Sequence, residues 1–218
     1  MPNITAVLGI LFVGMENEAV DGRIKQINLN VKPSIKERLG IDVTFYPINA
    51  FHYNRFISAV DGAEVTYRIP PGSKPSKGMT IINFLNNIRS MPASPDYFVY
   101  CDGSGRIPFE NIELILQKLH NKECECIISK RKPYRAAISR PRQIVEEFES
   151  WLVSDRFGLS KVHDLQSGIW GFNCAACPDL NLTAKGYEIE LNFALESLKT
   201  AKKIGEVEVS VITEADSV

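Results

Sequence analysis

DYFVYCDGSGRIPFENIELILQKL, residues 96–119, contains a complete strand, loop and helix. Tyr97 to Cys101 form an apolar run of strand length, the pattern of a strand covered on both faces. Asp102-Gly103-Ser104-Gly105 has turn chemistry, and Pro108 stands where a first helical turn begins. Beyond it, Ile112, Ile115, Leu116 and Leu119 share one face of a helix. A buried strand running into an amphipathic helix is the repeating unit of an α/β sheet, and such sheets bind ligands at the carboxyl ends of their strands. Asp102 stands at such an end.

The unit repeats along the chain. ITAVLGILFV (4–13) is a continuous apolar run, and IDVTFYPI (41–48) and GAEVTYRI (62–69) read as shorter strands. PPGSKPSKG (70–78) is a loop, and MTIINFLNNIRSM (79–91) is a helix stopped by Pro92 and Pro95. CECIIS (124–129) is a strand. RPRQIVEEFESWLV (140–153) is an amphipathic helix through Ile144, Val145, Phe148, Trp151 and Leu152. SGIWGF (167–172) is a strand, GYEIELNFALESLKTAKKIG (186–205) a helix closed by Gly205, and EVEVSVI (206–212) a closing strand. Trp151 and Trp170 read as core residues. The expectation is a single-domain α/β/α sandwich with a mostly parallel sheet, spanning residues 1–218.

Of the 218 residues, 44% are hydrophobic and 23% charged, which suits one ordinary globular domain. The net charge of -1, with Lys and Arg spread along the chain, lacks the footprint of a nucleic-acid binder. No apolar run reaches the roughly 18 residues of a membrane span. The opening MPNITAVLGILFVGMENEAV has no basic leader or cleavage site, so it reads as a first core strand of a soluble, cytoplasmic protein. Five cysteines are an odd number, which argues against a secreted disulfide framework. Cys124 and Cys126 alternate with Glu and are expected on one strand face, and Cys174 and Cys177 form a CxxC. If the two pairs met they would make a four-thiolate zinc site; otherwise they are small buried residues in a reduced compartment.

A succession of motifs in the second two thirds resembles the family-2 glycosyltransferases of GT-A fold, the nucleotide-diphospho-sugar transferases, especially relatives of dolichyl-phosphate mannose synthase. Ser76-Lys77-Gly78 resembles the family's helix entry. Asp102-Gly103-Ser104-Gly105-Arg106-Ile107-Pro108 resembles its Asp-x-Asp-Gly-Gln-x-Pro loop. Asp164-Leu165-Gln166-Ser167-Gly168-Ile169-Trp170-Gly171-Phe172 resembles its Asp-x-x-Ser-Gly-Phe-x-x-Phe, and Glu190 with the closing GEVEVSV resembles its acidic helix and final strand. The order and spacing of these motifs carry the likeness, over residues 60–212.

The resemblance implies transfer of a sugar from a nucleotide-diphosphate-sugar donor to an acceptor that the sequence does not identify. Such a donor leaves as a diphosphate anion and needs positive charge. The family commonly supplies Mg2+ or Mn2+, held by the second Asp of its loop. That position is Ser104 here, and the Gln position is Arg106, so the loop loses a negative charge and gains a positive one. The reading is a donor site of Lys77, Asp102, Ser104 and Arg106, with Asp102 a weak metal contact and weak metal dependence overall. No organic cofactor is expected.

Asp164 is expected as the catalytic base, and Gln166, Ser167 and Arg131 as acceptor contacts. The basic stretch SKRKPYRAAISRPR, with Lys130, Arg131, Lys132, Arg135, Arg140 and Arg142, suits a phosphorylated or lipid-linked acceptor. His163 beside Asp164 reads as incidental. The first half departs from the family: FYPINAFHYNRF replaces its Asp-rich loop, so no residue is assigned to the base of the nucleotide. Two other readings stand beside this one. One is a nucleotide-sugar-binding or scaffold protein without turnover. The other is a nucleotidyltransferase, which needs a Gly-rich loop after the first strand that LFVGMENEAVDGR does not supply.

Overall fold

β1 (Ile4–Phe12) and β3 (Tyr97–Asp102), two of the apolar runs, lie side by side in a six-stranded sheet. The computed structural model describes residues 3–12, 17–49, 76–91, 93–103, 108–132, 139–157, 163–178 and 180–211. The other strands are β2 (Ile41–Asn49), β4 (Cys126–Lys132), β5 (Ile169–Asn173) and β6 (Ile204–Ser210), in the order β2-β1-β3-β5-β4-β6. β5 runs antiparallel to both β3 and β4, while the pairs β1–β2, β1–β3 and β4–β6 are parallel. The sheet is therefore mostly parallel, as the alternating elements require.

Side chains of the strands alternate between two cores. Along β3, Tyr97, Val99 and Cys101 face one side, and Phe98 and Tyr100 the other. The first side is covered by α1 (Asn17–Gln26), a π-helical turn (Ile27–Val31), α2 (Lys32–Leu39) and α4 (Glu110–His120). Ile112, Ile115, Leu116 and Leu119 of α4 are all buried there, as their spacing predicts. The second side is covered by α3 (Lys77–Arg89) through Ile81, Phe84, Leu85 and Ile88, and by α6 (Ile189–Thr200) through Ile189, Phe193 and Ala194. Its centre is Trp170, stacked 4.0 Å from Phe193 and 4.8 Å from Tyr100. Each such pair adds roughly 0.5–1.5 kcal/mol to the burial of its rings.

Gly205 does not close a helix: α6 ends at Thr200, and Gly205 lies in β6. A Cβ at Gly205 would stand 2.9 Å from the Cys124 sulfur, so close packing explains that glycine better than capping does. Cys124 and Cys126 face opposite cores, because β4 begins only at Cys126 and period-two alternation holds only inside a strand. Trp151 is not in the core, being 59% exposed on α5 (Arg140–Phe157). The strand read at 62–69 lies outside the described residues.

Candidate functional site

Three features meet at the carboxyl edge of the sheet. Asp102 ends β3, and its backbone N–H donates to the Gly168 carbonyl at 2.7 Å. That bond joins the Asp102 loop to the 163–168 segment that leads into β5. The next N–H, of Gly103, donates to Leu11 at the end of β1, 2.8 Å away. Backbone hydrogen bonds thus place the Asp102 carboxylate at the junction of β1, β3 and β5, half-buried with 31% of its side chain exposed.

Lys77 reaches the same point from the first turn of α3. Ser76 precedes it in an extended conformation and donates its hydroxyl to the Lys185 carbonyl, which ties the start of α3 to the segment before α6. Gly78 packs against that segment so closely that a Cβ would lie 2.1 Å from the Ala184 carbonyl oxygen, an approach only glycine permits. The Lys77 ammonium pairs with Glu190 on the first turn of α6 and lies 3.5 Å from Asp102 Oδ2. It also sits 5.7 Å over the Tyr187 ring. Burial pulls the lysine pKa down, but Glu190 and Asp102 outweigh it and leave it above the ordinary value. Lys77 is therefore a fixed cation at neutral pH. Burial pushes the Glu190 carboxyl up, against the pull of Lys77.

A second cluster lies at the end of β4. Arg131 donates from Nε and a terminal nitrogen to the two oxygens of Asp164, each at 2.7 Å, and its backbone N–H donates to Oδ2 at 3.0 Å. The guanidinium also donates to Glu146 of α5 at 2.6 Å, and Glu146 accepts from Arg142 at 2.6 Å. Asp164 is fully buried and Arg131 is 9% exposed. A carboxylate enclosed this way holds a guanidinium in position and has no open face for a hydroxyl.

The sequence-predicted residues fall into place unevenly. Lys77 and Asp102 come together, as do Arg131 and Asp164. Ser167 is buried against the Ser129 hydroxyl, and Gln166 donates to Glu149 of α5 at 2.6 Å. His163 turns away from Asp164 to Glu206, its ring nitrogen 2.8 Å from the carboxylate, so the pair is no dyad. Ser104, Arg106 and Arg135 lie outside the described residues. Glu146 and Tyr187 were missed. The only trace of Glu146 was its i,i+4 spacing from Arg142.

The cysteines do not gather as a zinc site. Cys126 and Cys177 are 3.3 Å apart in the second core, whereas Cys124 is in the first. Among the described residues no three His, Cys, Asp or Glu side chains converge as metal ligands.

One consequence of the core beneath the site is an alkaline limit to stability. Burial first, and then the Asp102 charge, raise the Cys101 thiol far above its ordinary value of 9.0. The unfolded chain loses that proton before the native one, so stability falls as pH rises past about 9, by about 1.4 kcal/mol per pH unit for each such thiol. Urea titrations between pH 8 and 10.5 are expected to show the decline, with a shallower slope in Cys101→Ala.

Solved structures share this fold over nearly the whole chain. Glucosyl-3-phosphoglycerate synthase from Mycobacterium tuberculosis superimposes with a TM-score of 0.65 at 17% identity, covering 98% of this chain and 73% of that one. Its complex with phosphoglyceric acid gives 0.62 at 16% identity, over 98% and 72% of the two chains. Its complex with Mn2+, UDP-glucose and glycerol 3-phosphate gives 0.60 at 16% identity, over 98% and 73%. The chain has the GT-A fold. No family model matches it, and no curated protein matches its sequence.

Proposed function

We propose that the protein is a glycosyltransferase that moves a sugar from a nucleotide-diphosphate donor bound at the Asp102 edge. The observation that carries this is the buried Lys77 ammonium, held by Glu190 and directed at Asp102 where β1, β3 and β5 converge. In this reading Asp102 orients the donor. Lys77, with Arg106 from the stretch after Asp102, neutralises the diphosphate as it leaves, and Ser104 lies between Asp102 and Arg106 in the sequence. Ser167 and Gln166 shape the floor between donor and acceptor.

Arg131, the expected acceptor contact, is buried with its guanidinium engaged by Asp164 and Glu146, so in this reading it braces the end of β4. Asp164, the base of the sequence reading, takes a different role here: its oxygens are engaged by Arg131, so it positions the guanidinium. Structures of the mycobacterial enzyme hold Mn2+ with UDP and phosphoglyceric acid. Those ligands support a phosphorylated acceptor met by the Lys130, Lys132 and Arg142 region, in preference to the lipid-linked acceptor of a dolichyl-phosphate mannose synthase-like enzyme.

The described residues do not fit a protein-held divalent cation, because the charge 3.5 Å from Asp102 is an ammonium rather than a second carboxylate. Weak metal dependence, with Lys77 as the built-in cation, is part of this proposal, and the ammonium 3.5 Å from Asp102 supports it. The same observation favours a second reading, in which the site binds a nucleotide sugar without turning it over.

Thermal-shift measurements with UDP-, GDP-, CMP- and dTDP-sugars, each with Mn2+ and with chelator, test the site. At a hundred times the dissociation constant a donor adds about 2.7 kcal/mol. A shift with one nucleotide class that survives chelator supports the proposal, and its absence with every donor overturns it. Release of the nucleoside diphosphate on adding phosphorylated acceptors separates turnover from binding alone.

A further inference from the structure

α5 carries its apolar stripe on the outside. Ile144, Val145, Phe148, Trp151 and Leu152 are 62%, 55%, 58%, 59% and 49% exposed, whereas Glu146, Ser150 and Val153 on the opposite side are buried. The inner side is fixed by polar contacts: Glu146 accepts from Arg131, and the Ser150 hydroxyl donates to the His163 carbonyl at 3.1 Å. At 100° per residue the five apolar positions span one contiguous arc centred on Phe148, and the Phe148 and Trp151 rings lie 5.8 Å apart. A patch of this kind, absent from the other described helices, marks an interaction surface.

We propose that this face joins two copies of the chain, with the two α5 helices antiparallel about a twofold axis at Phe148. The charges on the helix select that partner. Asp155 lies within the apolar arc toward one end, and Arg140 lies at its edge toward the other end; both are exposed. A twofold at Phe148 brings Asp155 of one copy level with Arg140 of the other on the same side of the seam. The contact repeats at both ends, as an isologous interface demands. The same charges disfavour an anionic lipid surface. The helix holds three arginines against four carboxylates, and one carboxylate sits among the apolar residues that would enter the lipid.

Phe148 and Trp151, at about 150–250 Å² each when fully buried and 58% and 59% exposed, offer roughly 170–290 Å², and with the three smaller aliphatic side chains the face is on the order of 500 Å² per copy. That is below the roughly 800 Å² per partner of a standard interface. The dimer is therefore a reversible one that dissociates on dilution. It is independent of the proposed activity, since no residue of the outer face belongs to the donor site.

Sedimentation velocity of the full chain across a concentration series is the test. The wild type is expected to shift from monomer to dimer below about 100 µM. Phe148→Glu should be monomeric throughout with an unchanged melting temperature, because the side chain is exposed. Arg140→Asp should weaken the dimer at least several-fold, and Arg140→Asp with Asp155→Arg should restore it. Phe148→Cys, on the axis, should give a disulfide-linked pair with diamide as oxidant. A wild type that stays monomeric, a dimer that survives Phe148→Glu, or a double variant no stronger than Arg140→Asp alone overturns the proposal. So does a monomeric wild type that sediments with phosphatidylserine vesicles, which assigns the face to lipid.

Discussion

Asp164→Ala is expected to lose about 3 kcal/mol of stability or more, because it leaves a buried guanidinium without its main counter-charge. Arg131 gives Asp164 three hydrogen bonds of 3.0 Å or less, and neither residue has much access to water. Glu146 still holds one nitrogen of the guanidinium, which keeps the loss toward the lower end of the range for broken buried pairs. For a chain of this length the melting temperature should fall by roughly 6–12 °C. Urea denaturation of Asp164→Ala, Arg131→Met and the double variant completes the test. The double variant is expected to be more stable than Asp164→Ala alone, since no unpaired charge remains. An Asp164→Ala protein with unchanged stability but no turnover would return the residue to the role of base.

Lys77→Met is expected to lower donor turnover by roughly 10²–10³-fold, the usual cost of removing one preorganised charge from a reacting anion. It also leaves Glu190, 4% exposed, without its partner. Burial already raises that carboxyl, and without the ammonium it should hold its proton to higher pH still. The two effects separate in a second variant. Lys77→Met with Glu190→Gln removes both charges, so stability should recover while turnover stays low. Recovery of both would reduce Lys77 to a structural ion pair.

The titration of Lys77 fixes the pH window of its contribution. Its pKa is higher folded than unfolded, so its stabilisation is complete below the ordinary lysine value of 10.5. It is lost as pH rises through the folded value. At neutral pH neither stability nor donor binding should titrate through this residue.

Much of this was legible along the chain because it depends on local pattern. Tyr97 to Asp102 could be read as a doubly covered strand, and Ile112, Ile115, Leu116 and Leu119 as the inner face of a helix, since period two and period 3.6 are properties of neighbouring residues. Where a local rule was pushed past its element it failed. The alternation that would set Cys124 beside Cys126 starts only at Cys126, and Gly205, which has the look of a helix cap, lies in a strand. Lys77 and Asp102 could be singled out by resemblance. That Lys77 is gripped by Glu190 could not, because their meeting depends on how α3 and α6 lie over the same face of the sheet.

The sequence by itself determined the alternation of strands and helices, the two-sided burial of β1 and β3, and the position of Asp102 at a strand end. Only the tertiary structure decided which charges meet: Lys77 with Glu190, and Arg131 with Asp164 and Glu146. It also decided which side of α5 faces inward. Periodicity shows that a helix has an apolar stripe, but its rotation against the sheet follows from the contacts it makes. In α5 a buried Glu146–Arg131 pair holds the charged side in and leaves the stripe outside. The partners that fix this rotation, Arg131 on β4 and the His163 carbonyl, lie on other parts of the chain, so it cannot be read from neighbours along the helix.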